Sequence, residues 1–242
     1  MSNPTAAILI IGDEILSGRT REGNAYFLSQ ELTKAGIDLR EIRVVSDDQA
    51  QIIDAVRALS EQYDTVFTSG GIGPTHDDIT ADAVGAAFGA KVDIRDDARA
   101  LLEAHYASRG TTATPARLRM ARIPDGARLI DNPVSVAPGF NIGNVYVMAG
   151  VPNVFQAMVA SVLPTLTGGA PVLSRSLRVP RPESEISEPL RDAAQEYSDL
   201  SFGSYPFVAD GAYGVNLVVR GQDEPRLEAG FAKLKSLFPE GE

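Results

Sequence analysis

Six consecutive apolar residues, Ala6-Ala7-Ile8-Leu9-Ile10-Ile11, constrain the fold more than any other segment of the chain. A strand with no polar alternate is buried on both faces, which places it inside a parallel sheet with helices above and below. The sequence that follows keeps to this pattern. Ala25, Leu28, Leu32 and Ala35 recur at helical spacing, and Gly36 supplies a stop. A strand is expected over 39–45, then a helix marked by Ile52, Ile53, Val56, Leu59 and Tyr63. A third strand over 64–68 and a helix over roughly 80–88 come next. A helix over 96–108, a strand over 144–149 and a helix over 152–163 complete the alternating series. Alternation of this kind predicts an α/β domain over residues 1–168, three-layer αβα with a mostly parallel sheet.

Thr167-Gly168-Gly169-Ala170-Pro171 reads as a linker. The order beyond it is strand, helix, strand, strand, helix, which predicts a small α+β domain over 172–242. Asp210-Gly211 is placed to turn its last two strands into a hairpin.

Charge and composition narrow the possible partners. The chain has 242 residues and a formal charge of −10, so it gains little long-range attraction to nucleic acid or anionic lipid. Neither a nucleic-acid nor a membrane partner is expected. Gly211-Ala212-Tyr213-Gly214 has the spacing of a nucleic-acid-binding GXXG loop, but it falls in the predicted hairpin without basic neighbours. No segment has the length of a membrane span, and no basic residue precedes the first apolar run, so a secretory signal is not expected. The absence of cysteine excludes disulfides, thiolate metal sites and cysteine nucleophiles, and it fits a cytoplasmic location.

The chemistry concentrates in Thr68-Ser69-Gly70-Gly71-Ile72-Gly73-Pro74-Thr75-His76-Asp77-Asp78-Ile79-Thr80. Glycines between a strand and a helix let backbone N–H groups converge on an anion, and the helix N-terminus adds partial positive charge. Asp77 and Asp78 then stand where a divalent cation such as Mg²⁺ would neutralise that anion. The loop lacks the Gly-Lys-Ser/Thr ending of an ATP-hydrolase loop, and His76 occupies the third glycine position of a dinucleotide fingerprint. Gly12-Asp13-Glu14 and Ser46-Asp47-Asp48 also fall at predicted strand ends, where parallel sheets collect ligands. The expected ligand is a phosphorylated small molecule. Glu14, Asp47, Asp77 and Asp78 are candidate bases, with helix capping as the structural alternative for Asp47 and Asp78. His76 suits loop packing or phosphate contact better than base catalysis. Arg117, Arg119 and Arg122 fit either a phosphate contact or a solvated segment.

The chain resembles the MoaB/Mog molybdopterin-binding family, and more narrowly the short form of the CinA-like (competence-damage-inducible) proteins. The resemblance rests on Ile11-Gly12-Asp13-Glu14-Ile15-Leu16-Ser17-Gly18 and the glycine segment from Ser69 to Thr80. Asn132-Pro133, Ala137-Pro138-Gly139-Phe140 and Gly150-Val151-Pro152 extend it in the same order. The remainder resembles the small KH-like unit of CinA-like proteins, and Gly203-Ser204-Tyr205-Pro206 is similar to the related domain of FAD synthases. The resemblance implies a ligand site formed by Gly12, Asp13, Asn24, Ser69, Gly70, Gly71, Gly73, Pro74, Thr75, His76, Pro138 and Gly139. It implies catalytic carboxylates at Asp47, Asp78 and Glu14, with a metal at Asp77 and Asp78. The signature commonly reads Asp-x-Asn, and here Glu22 occupies its acidic position, with Asn24 at its end. Molybdopterin or an adenine nucleotide is the implied ligand, and a dimer or trimer the implied assembly. The implied activities are adenylyl transfer or metal-dependent hydrolysis of ADP-ribose or a similar dinucleotide, with a non-catalytic binding oligomer as the remaining alternative. FAD formation and nicotinamide-nucleotide deamidation are not expected, because the domains that perform them are not seen in the sequence.

Overall fold

The computed structural model describes residues 2–209 and 211–242. The chain forms two compact units, Met1–Gly169 and Ala170–Glu242.

In the first unit the elements run β1 (Thr5–Ile11), α1 (Asp13–Leu16), α2 (Asn24–Lys34), β2 (Asp38–Val45), α3 (Gln49–Gln62), β3 (Thr65–Ser69) and α4 (Thr80–Phe88). They continue as β4 (Val92–Ile94), α5 (Asp96–Ser108), α6 (Pro115–Leu118), β5 (Arg122–Pro124), β6 (Arg128–Ile130), β7 (Gly139–Ile142), β8 (Val145–Met148) and α7 (Pro152–Val162). The main sheet has the order β2-β1-β3-β8-β7-β6. Its first four strands are parallel, and β7 and β6 extend it by antiparallel pairing.

The apolar run behaves as its composition requires. Ala7, Leu9 and Ile11 of β1 enter a core with Ile52, Val56 and Leu59 of α3, Val84 of α4 and Leu102 of α5. Ala6, Ile8 and Ile10 enter the opposite core, with Leu28 and Leu32 of α2 and Phe155, Met158 and Val159 of α7. One strand therefore feeds two hydrophobic layers, which is why no polar residue interrupts it. Local signals set the helix ends. Asp48 accepts a hydrogen bond from the Gln51 N–H at 2.9 Å and starts α3, and Pro152 occupies the first turn of α7.

Six elements of this unit lie outside the sequence expectation: α1, α6 and the strands β4 to β7. Each spans only three or four residues, too few to show a period. β6 and β7 build the sheet edge by antiparallel return rather than by another crossover, and β4 and β5 pair as a separate two-stranded sheet.

The second unit holds β9 (Leu173–Val179), α8 (Glu183–Glu196), β10 (Ser201–Ala209), β11 (Ala212–Gly221) and α9 (Glu224–Leu237). Its antiparallel sheet has the order β10-β11-β9. Leu177, Val179, Val215, Leu217 and Val219 form a core with Ile186 of α8 and Leu227 and Leu234 of α9. β10 and β11 pair as the expected hairpin through to Ala209 opposite Ala212. Of its turn residues, Gly211 has a left-handed φ of 79°, and Asp210 lies outside the described residues.

Candidate functional site

β2, β1 and β3 are adjacent and parallel, so the segments following them emerge side by side at one rim of the sheet. Gly12 and Glu14 come from the end of β1, Asp47 from the end of β2, and Gly70 to Pro74, Asp77 and Asp78 from the end of β3. Together they line an open cavity of about 580 Å³, within the size range of small-molecule sites; Thr75 and His76 do not line it. Ala149, Gly150, Val151 and Pro152 close one wall, and Met120, Asn132, Ser135 and Ala137 form another.

Backbone demands explain the first two glycines of the loop. Gly70 has φ of 113°, and a Cβ there would strike the Ile11 carbonyl; Gly71 has φ of 70° and faces the Thr80 hydroxyl. The Thr80 hydroxyl donates to the Gly70 carbonyl at 3.0 Å, and the Thr80 N–H donates to the Gly71 carbonyl at 3.0 Å. The loop is thus sewn to the start of α4.

The loop's donors are divided differently from the sequence expectation. Gly70 spends its N–H on the Met148 carbonyl at 3.1 Å. Asp78 Oδ1 accepts from the Gly73 N–H at 2.6 Å, and Asp78 Oδ2 accepts from the Thr75 N–H at 2.7 Å and the Thr75 hydroxyl at 2.5 Å. A carboxylate of the protein itself therefore occupies the donors of Gly73 and Thr75. Among the described residues, the N–H groups of Gly71 and Ile72, both of which line the cavity, take no such partner. Arg119 braces the outside of the loop, donating to the Thr75 carbonyl at 3.2 Å and the Asp78 carbonyl at 3.5 Å. Arg117 instead donates to the Thr112 carbonyl and stacks on Tyr106, and Arg122 pairs with Asp82.

Several expected ligand residues stand away from the cavity. The His76 side chain is 99% exposed, because nothing packs over the loop tip. Asp13 lends its backbone N–H to Asp47 at 3.0 Å. Asn24 and Ser69 are buried and bonded to each other at 2.8 Å, with Asn24 also donating to the Gly150 carbonyl at 2.8 Å. They border a smaller cavity that adjoins the first, sharing Ile11, Glu14, Thr20, Gly150 and Pro152 with it. Pro138 borders another small cavity behind the loop, and Gly139 is buried in β7, where a Cβ would meet the Val147 carbonyl. Glu22, in place of the signature aspartate, accepts from the Ala25 N–H at 2.9 Å near the start of α2. Conversely, Thr20, Met120, Asn132, Ser135, Ala137 and Val151 line the cavity without having been expected there. The segments holding Asn132, Ala137 and Val151 were already visible as motifs.

The charged side chains that line the cavity, Glu14, Asp47, Asp77 and Asp78, are all acidic. Burial pushes the Asp47 carboxyl above its ordinary value; the Asp13 N–H opposes this, and the charges of Asp13, Glu14 and Asp77 add to it. A cation would favour the charged form of Asp47 against these neighbouring acids. No group of three or more His, Cys, Asp or Glu side chains is placed to hold a metal alone among the described residues. Asp78, expected as a metal ligand, has three of its acceptor positions committed to the loop. The remaining donors suit a hard cation held by one or two carboxylates and completed by phosphate and water, the usual habit of Mg²⁺.

A three-layer α/β domain with a cavity lined by acidic side chains at the carboxyl ends of its parallel strands is the class of protein these observations define. Within that class the chain belongs to the family described as "Probable molybdopterin binding domain", whose model matches residues 7–168; residues 171–242 match the "FAD synthase, middle domain". A CinA-like protein from Desulfosudis oleivorans is 34% identical over 209 residues, covering 82% of this chain and 51% of that protein. A protein named "Probable FAD synthase" from Caenorhabditis elegans is 30% identical over 259 residues, covering 97% of this chain and 50% of its own length. The chain thus spans about half the length of these two relatives. The crystal structure of a CinA protein of unknown function from Thermoplasma acidophilum is 36% identical with a TM-score of 0.62, covering 68% of this chain and 99% of that one. No helix among the described residues is long and apolar enough to cross a membrane.

Proposed function

We propose that the first unit binds a phosphorylated pterin or nucleotide together with a divalent cation, and that it performs nucleotidyl or pyrophosphate chemistry on it. The observation that carries this reading is the shared cavity, with glycine-loop amides on one side and the carboxylates of Glu14, Asp47 and Asp77 facing the same space. Gly71 and Ile72 would bind phosphate oxygens through their N–H groups. One or two of the carboxylates of Glu14, Asp47 and Asp77 would hold the cation, with phosphate and water completing its shell; when bound it offsets charge developing on phosphate oxygens. The apolar surfaces of Ile72, Met120 and Val151 would exclude water from the organic part of the ligand. The FAD synthase matches favour a nucleotide-type ligand.

Asp47 favours hydrolysis as the second reading. One of its oxygens accepts from Asp13, while the other has no hydrogen-bond partner among the described residues. A carboxylate with a raised pKa and an uncommitted oxygen is suited to take a proton from an attacking water. The two readings separate in one experiment, with the protein incubated with ADP-ribose, or with molybdopterin plus ATP, each with and without Mg²⁺. Metal-dependent AMP release from ADP-ribose that is lost in Asp47→Asn supports hydrolysis. Pterin-dependent pyrophosphate release from ATP supports adenylyl transfer. Failure of the protein to bind any of these phosphate esters would defeat the proposal.

A further inference from the structure

Val136 is the only non-glycine residue with positive φ among the described residues, at 66°. For a β-branched side chain this is a strained conformation, and such strain persists only where the surroundings over-determine it. Here they do. The Val136 N–H donates to the Asn132 carbonyl at 3.0 Å. Asn132, 3% exposed, organises the rest of the turn with its side chain. Its Oδ1 accepts from the N–H groups of Val134 and Ser135, both at 3.1 Å. Its Nδ2 donates to the Ala137 carbonyl at 2.8 Å and to Ser135 Oγ at 2.6 Å. Two N–H donors on one side and a carbonyl on the other leave this amide a single orientation. Ser135 Oγ is therefore an acceptor for Asn132, and its own proton has no partner among the described residues. Asn132, Ser135 and Ala137 all line the cavity.

We infer that the turn over residues 132–137 is a strained recognition element, in which the Ser135 hydroxyl donates a hydrogen bond to an acceptor on the bound phosphate ester. The inference rests on the proposed reading of the cavity and adds a specificity residue to it. Asn132 fixes the direction of the hydroxyl, and the left-handed Val136 turns the backbone so that Ser135 and Ala137 both reach the wall. Val136 joins neither hydrophobic core of its unit. A half-buried valine outside both cores, in a conformation that glycine adopts freely, fits strain retained for function.

The test is calorimetric titration of the full chain with AMP and with pyrophosphate in the presence of Mg²⁺, alongside thermal unfolding. Ser135→Ala should weaken AMP binding about tenfold, as expected for one lost ligand hydrogen bond, and lower the unfolding midpoint because the buried Asn132 Nδ2 loses an acceptor; Ser135→Thr should restore both. Val136→Gly should weaken AMP binding without lowering the midpoint, because it releases strain while loosening the turn. If the wild type binds AMP or pyrophosphate and both variants match its AMP affinity, the inference fails and the reading of the cavity stands. A Val136→Gly variant that lowers the midpoint but binds AMP as the wild type does also overturns it, since the turn would then serve only the fold. If the wild type binds neither probe, the cavity reading fails and the inference falls with it.

Discussion

Asp47 and Asp78 are both acids at the same rim, yet their surroundings give them opposite tasks. Asp78 has its oxygens filled by Gly73 and Thr75, so it acts as an internal anion that closes the loop. Replacing it by alanine strands two backbone N–H groups. Asp78→Ala should lower stability by about 1–3 kcal/mol, read by urea unfolding; an unchanged midpoint would mean the loop is held by its glycines and Thr80 alone. Asp47 has a pKa raised chiefly by burial, so its folded form keeps a proton at a pH where the unfolded chain has released it. Stability from this group is fully present below the ordinary carboxylate value of 3.8 and is lost as pH rises through the higher folded value. Asp47→Asn removes that loss and still offers an oxygen to the Asp13 N–H. The variant should be more stable than the wild type at neutral pH, with the advantage shrinking as the pH falls into the acid range. Equal stability at every pH would show that solvent already screens the carboxylate.

At the scale of elements, the site exists because β2, β1 and β3 are neighbours and their exits share one edge. Gly70 is the position where this packing is tightest, since its left-handed backbone lies against the Ile11 carbonyl at the end of β1. Gly70→Ala should cost at least about 1–3 kcal/mol from backbone strain alone, and nucleotide binding should fall with it; a variant with wild-type unfolding would mean the loop can move off β1. This convergence was legible in the sequence. The unbroken run at Ala6 to Ile11 fixed a buried parallel strand, and in such sheets the strand exits carry the ligand. The destination of each polar atom was not legible. The bonds from Gly73 and Thr75 to Asp78 depend on φ values that glycine leaves open. The wall formed by Asn132 and Ser135 arrives through β6 and β7, which are too short to show a period and include Gly139 and Asn141. Asn24 and Ser69 carry the family pattern, but their burial beside Gly150 follows from packing across the sheet, which spacing along the chain cannot show.

At the scale of the whole molecule, each unit has its own hydrophobic core, and every proposed ligand contact comes from the first. A fragment of residues 1–169 should therefore keep the AMP affinity of the full chain; a large loss would mean the second unit completes the site. The second unit has its own acid response. Arg226 grips Asp199 through two hydrogen bonds at 2.7 and 2.9 Å and lies over the Tyr197 ring. That guanidinium holds the Asp199 carboxyl down to about 2, from an ordinary 3.8. A lowered carboxylate pKa contributes stability that is present above 3.8 and is lost as pH falls through about 2. Arg226→Leu should therefore lower the stability of the second unit at neutral pH and flatten its decline between pH 4 and pH 2, followed by near-ultraviolet signals from its tyrosines. AMP binding by the first unit should be unaffected in the same variant. If acid unfolding of Arg226→Leu superimposes on that of the wild type, the Asp199–Arg226 pair is too well solvated to matter, and the acid sensitivity of this unit must come from other carboxylates.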